Sequence, residues 1–209
     1  SYNLKGYNNF IKKYQKRRPI VYVGGNDGML HGFSASDGQE VIAYVPRGSY
    51  EHLSKLSWRS FDDNHKYFVD GSPMTGDLDT ANRSDPNYEP QWKTYLVGTM
   101  GGGGKGYFVL DVTKAGTDDE AHNFSESNAA SLVIMDKTMS PSEWNICTGE
   151  TCLAAEADIG HIFSPPSTDE TNPLKTNQIT LLNNNRWGVI MGNGYNSTNQ
   201  RPVLLIQYL

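Results

Sequence analysis

In Arg18-Pro-Ile-Val-Tyr-Val-Gly-Gly-Asn-Asp-Gly-Met-Leu-His-Gly-Phe33, two short runs rich in β-branched, aromatic and aliphatic residues flank a turn. Ile20–Val23 has strand composition, and Gly25-Asn26-Asp27-Gly28 is made of residues that tolerate positive φ. The second run, Met29–Phe33, leads to a further turn at Ser36-Asp-Gly38, and a third run, Val41–Val45, ends at Pro46. Three short strands joined by tight turns predict an antiparallel meander.

The pattern returns along the chain. Tyr67-Phe-Val-Asp-Gly71 reads as a strand and turn, followed by Thr94-Tyr-Leu-Val-Gly98, the Gly101–Gly104 turn and Gly106–Asp111, with Leu132–Met135 as an outer strand. A third unit runs from Trp187 to Gly192, through Asn193-Gly194-Tyr-Asn-Ser197, to Pro202–Gln207. Tyr22-Val-Gly, Tyr95-Leu-Val-Gly and Val189-Ile-Met-Gly hold the same place in each unit.

Repeated four-stranded antiparallel units are propeller blades. The spacing from Gly24 to Gly98 to Gly192 is 74 and then 94 residues, against about 40–45 in ordinary blades. The excess falls in polar, proline-rich stretches, Ser72–Gln91, Ala115–Ser131 and Thr138–Thr180, which read as rim loops. The expectation is an all-β, partial β-propeller of about three four-stranded antiparallel blades, quinoprotein-like, with long insertions and one short N-terminal helix. A closed propeller takes at least about four blades, and unclosed sheets leave edges that aggregate. Residues 20–209 are therefore expected to be a propeller segment belonging to a larger closed propeller.

Before it, residues 1–19 read as a basic amphipathic helix or arm. Tyr7, Phe10, Ile11 and Tyr14 form an apolar stripe at helical spacing, closed by Pro19. Residues 1–20 carry six basic groups and no acid, so the chain's net charge of −5 leaves −11 on the remainder. That remainder would repel a polyanion, so the basic face reads as solvated and no nucleic-acid partner is expected. No apolar run reaches the roughly 18–20 residues of a membrane span, and the opening residues carry no apolar leader.

Catalytic patterns are weak. Gly98-Thr-Met-Gly-Gly-Gly-Gly-Lys105 is out of register for a phosphate loop, lacks its hydroxyl residue and precedes a strand. The histidines His31, His52, His65, His122 and His161 are scattered, and His31 reads as a buried, hydrogen-bonded core residue. Asp77 and Asp79 are the candidate metal ligands, with turn residues as the competing reading, because their spacing does not fit a calcium loop. Cys147 and Cys152 flank Thr-Gly and read as a local disulfide, the alternative being two free thiols. Tyr88, Trp92 and Trp144 are aromatic contact candidates within insertions.

The opening segment, Glu40–Pro46, His65–Gly71, Gly101–Thr113 and Trp187–Ser197 together resemble the C-terminal β-propeller domain of the PilC/PilY family of type IV pilus tip-associated adhesin and biogenesis proteins. The resemblance implies a non-enzymatic structural and interaction module involved in pilus biogenesis, retraction control and surface adhesion. It implies secretion through the periplasm to the pilus tip or bacterial cell surface. The implied partners are the remaining blades, the minor pilins and a host-surface receptor. The family's calcium loop is not found in these residues, so calcium is expected in the parent protein and no cofactor in this segment. The alternatives are an extracellular propeller binding protein or glycan, and a quinoprotein-like dehydrogenase fragment, which would need a cofactor pocket and a catalytic Asp.

Overall fold

A computed structural model describes residues 4–116, 122–144 and 156–209. Helix α1 (Tyr7–Lys13) is followed by strands β1 (Ile20–Gly24), β2 (Leu30–Ser34) and β3 (Glu40–Tyr44), which form one antiparallel sheet in that order. Strands β4 (Met74–Asp79), β5 (Trp92–Thr99), β6 (Tyr107–Asp111) and β7 (Val133–Asp136) make a four-stranded antiparallel sheet, again in chain order. A hairpin of β8 (Thr168–Asp169) and β9 (Asn172–Thr176) precedes a last sheet of β10 (Ile179–Leu181), β11 (Trp187–Gly192) and β12 (Leu204–Tyr208). These are consecutive meanders, as a blade series requires.

Side-chain alternation along β5 and β6 explains the stacking. Tyr95, Val97, Tyr107 and Val109 point into one core with Ile179, Trp187, Val189 and Met191 of the last sheet. Leu96, Phe108 and Leu110 point into a second core with Leu30, and Ile20, Tyr22, Ile42 and Tyr44 of the first sheet pack against it. A strand buried on both faces loses the hydrophobic-polar alternation, which is why Tyr95-Leu-Val-Gly and Tyr107-Phe-Val-Leu read as continuous apolar runs. The middle sheet is thus sandwiched between its neighbours. Helix α1 adds Tyr7 and Phe10 to the first of these cores, where Tyr7 lies 4.6 Å from the Trp92 ring centroid.

Several expectations need correction. Tyr67–Gly71 is not a strand: it is an extended crossing segment whose Phe68 and Val69 are buried. The first strand of the middle sheet is instead β4, inside a stretch read as a rim loop. Gly76, Asp77 and Asp79 are poor strand formers and hide it, yet Met74 and Leu78 plug the core. Thr138–Thr180 likewise contains β8, β9 and the start of β10. Among the described residues the two flanking sheets have three strands each. In α1, Ile11 faces solvent although it sits on the apolar stripe.

Candidate functional site

The glycine-rich motifs converge on one seam. The β1–β2 turn closes with Gly25 N–H donating to the Met29 carbonyl at 2.8 Å, while the Gly25 carbonyl accepts from Val69 N–H at 3.2 Å. Asn26 Oδ1 accepts from Phe68 N–H, and Asp27 Oδ1 caps the turn by accepting from Met29 N–H. The same crossing segment continues to the β5–β6 connection. There Asp70 N–H donates to the Met100 carbonyl, and Gly102 N–H donates to the Asp70 carboxylate at 3.0 Å. A side chain at Gly103 would overlap the backbone carbonyl of Phe68. The glycine run therefore allows close backbone approach, and the loop is packed against the crossing segment.

From that loop the seam reaches the third unit. His161, buried, donates from Nδ1 to the Gly101 carbonyl at 2.9 Å. Its backbone pairs with Tyr195 in both directions, at 2.9 and 3.1 Å. Burial pushes the His161 imidazole below the ordinary histidine range, more than the Gly101 bond restores, and Lys105 adds to the effect. The ring serves as a structural donor.

Gly194, at φ 75, lies so close to the His161 carbonyl that no Cβ fits. Asn193 staples the long β11–β12 connection. Its Nδ2 donates to the carbonyls of Asp158 and Arg201 at 2.7 and 2.9 Å, and its Oδ1 accepts from Val203 N–H. Gly192 ends β11, and no atom lies near its missing Cβ. The structure thus gives the two expected turn motifs different jobs. Gly25–Gly28 makes a tight hairpin, and Gly192–Gly194 begins a stapled loop.

The candidate metal ligands do not converge. Asp77 is ion-paired with Lys175 and accepts from the hydroxyls of Tyr7 and Thr94 at 2.8 and 2.6 Å. Asp79 accepts from the Tyr88 hydroxyl, from Arg83 and from the backbone of Ala81 and Gln91. That contact and burial hold the Tyr88 phenol up to about 12, burial leading. Neither carboxylate is a turn residue: both lie on β4, each with its own cation. No trio of carboxylate, imidazole or thiolate groups suited to a metal occurs among the described residues, so Asp77 and Asp79 do not together fit a calcium ion. Cys147 and Cys152 lie outside the described residues.

His31 is not in the core. It sits on the outer face of the first sheet between Asp27 and Glu40, at 2.8 and 2.5 Å, with Phe33 stacked beside it. Burial alone would lower its pKa, but the two carboxylates outweigh that and raise it. Trp92 is a core residue, and Trp144 donates to the Met139 carbonyl and packs edge-on to His161. Exposed apolar side chains also line two sheet faces. Val21 and Val23 project from the outer face of the first sheet, and Leu204, Ile206 and Tyr208 from that of the last. The alternation in β12, with Leu204 66 % and Ile206 50 % exposed, was readable, but nothing in the sequence distinguishes its outer side chains from inner ones.

The chain belongs to the family described as the PilY1 beta-propeller domain, whose model matches residues 3–130. It is 33% identical over 201 residues to the type IV pilus biogenesis factor PilY1 of Pseudomonas aeruginosa, covering 96% of this chain and 13% of that protein. A PilY1 homolog of Xylella fastidiosa is 33% identical over 205 residues, covering 97% of this chain and 13% of the relative. A further Xylella fastidiosa PilY1 homolog is 33% identical over 202 residues, covering 96% of this chain and 11% of its own length. The chain therefore spans about one eighth of the curated relatives it matches. No solved structure matches it.

Proposed function

We propose that this chain is a non-enzymatic structural and interaction module of a type IV pilus biogenesis factor, acting at the pilus or bacterial cell surface. One observation carries the reading. The middle sheet is covered on both faces, whereas the two flanking sheets each bury one face and present apolar side chains on the other. In a propeller every blade packs between two neighbours, so the bare faces are docking surfaces for further blades of the parent protein. Covering them would gain about 25 cal/mol per Å² of apolar area buried. The names of the similar proteins supply the pilus context, and retraction control, adhesion, minor pilins and a host receptor follow from it as further parts of the proposal. In this reading calcium is held elsewhere in the parent protein, because Asp77 and Asp79 are separately neutralised.

Ile206→Asp in the intact protein tests this. The expected result is loss of the secreted, folded protein and of surface pili, with Lys12→Asp as an exposed control that leaves both intact. Normal secretion and piliation of Ile206→Asp would count against a role for this face.

A further inference from the structure

The loop stapled by Asn193 shapes an open, shallow cleft of about 510 Å³, lined by its own residues Tyr195, Asn196, Ser197, Gln200 and Arg201. Tyr195 is 60 % exposed, and its ring stacks on Phe163, itself 49 % exposed, with centroids 5.4 Å apart and planes 19° from parallel. His161 stacks under Tyr195 at 5.1 Å and is braced edge-on by Trp144. The aromatic surface is therefore rigid and presented to solvent.

Polar groups surround it. Ser197 is only 3 % exposed, lines the cleft and makes no side-chain hydrogen bond among the described residues. Asn196 and Gln200 both adopt left-handed backbone, φ 59 and 49, which costs free energy in residues other than glycine. Arg201 is engaged by the Asp158 carboxylate through Nε and Nη2, at 2.9 and 2.7 Å, so the cleft carries no unbalanced positive charge. Amide side chains each offer paired donors and acceptors.

We infer that this cleft binds a neutral saccharide. An exposed, braced aromatic ring receives the apolar C–H face of a pyranose, and the Asn196 and Gln200 amides with the Ser197 hydroxyl match its ring hydroxyls. A sialylated or sulfated glycan would demand a free cation, and Arg201 is already neutralised. None of its lining residues belongs to the bare sheet faces.

The test uses the intact protein on immobilised mannose-, galactose- and N-acetylglucosamine-terminated glycans, with sialylated and sulfated glycans beside them. The expected result is binding to at least one neutral class, weakened about tenfold or more in Tyr195→Ala, the scale of losing one anchoring aromatic contact. Tyr195→Trp should bind within about threefold of the unaltered protein. Gln200→Gly, which relieves the left-handed backbone while removing the amide, should weaken binding severalfold without unfolding the loop. Absence of binding to every neutral glycan, binding confined to the sialylated or sulfated ones, or equal binding by Tyr195→Ala and Gln200→Gly would overturn the inference.

Discussion

The imidazole of His161 donates to the carbonyl of Gly101 across 2.9 Å, joining two loops that lie 60 residues apart in the chain. Gly106 N–H donates to the Gly160 carbonyl beside it, and the Gly101 loop is held in turn by the Phe68–Gly71 crossing. Backbone and side-chain hydrogen bonds therefore link all three sheets through one seam, besides the two apolar cores between them.

Gly103→Ala should destabilise the protein by about 3 kcal/mol, because the new methyl meets a backbone carbonyl that cannot yield as a side chain would. Gly192→Ala, with nothing near its Cβ position, should stay within about 0.5 kcal/mol. Thermal unfolding of the two variants checks both, and equal transitions would refute the close-approach role of the glycine run.

Asn193→Ala removes a buried side chain and leaves the Val203 N–H and two carbonyls without their partner. The expected cost is about 1–3 kcal/mol. Amide hydrogen exchange should accelerate at Val203 before it does in β11, and unchanged exchange there would remove the staple from the account.

Breaking the Asp77–Lys175 pair from one side should cost about 3 kcal/mol, since Asp77 is almost wholly buried and its cation would be left unpaired. Asp77→Ala should thus be worse than the joint Asp77→Leu, Lys175→Met change, which removes both charges. Denaturant unfolding of the two proteins gives the comparison.

His31 and His161 should titrate on opposite sides of about 6.5, the ordinary value. His31 is held above it by Asp27 and Glu40, so its contribution to stability is full below about pH 6.5 and fades as pH rises through the raised value. His161 is held below it by burial, so folding resists its protonation, and stability falls as pH drops beneath about 6.5. NMR titration of the imidazole protons should separate them, and Glu40→Gln should move His31 downward alone. A common midpoint would contradict both environments.

Much of this fold was legible because its signals are local. The turn Gly25–Gly28 and the doubly buried runs at Tyr95 and Tyr107 declare themselves by composition and periodicity. Strand β4 did not, because Gly76 is there for the close approach of Ile179 and Asp77 for Lys175, both distant in sequence. His31 was misplaced for the same reason: Leu30, Gly32 and Ser34 turn inward, and one residue of register separates core from surface. Tyr195 carried no sign of its exposed stack, which depends on Phe163 arriving from another loop.

The central claim, that the outer faces of the flanking sheets are covered by further blades, is tested most directly by thiol labelling of the intact protein. Ile206→Cys is compared with Lys12→Cys using a bulky maleimide, each measured against the unaltered protein's own cysteines. Shielding of position 206, with labelling at least about tenfold slower than at position 12 and restored on unfolding, is the result expected for an interior blade face. Equal rates at the two positions would mean that the face is open to solvent, and the propeller-segment account would fail.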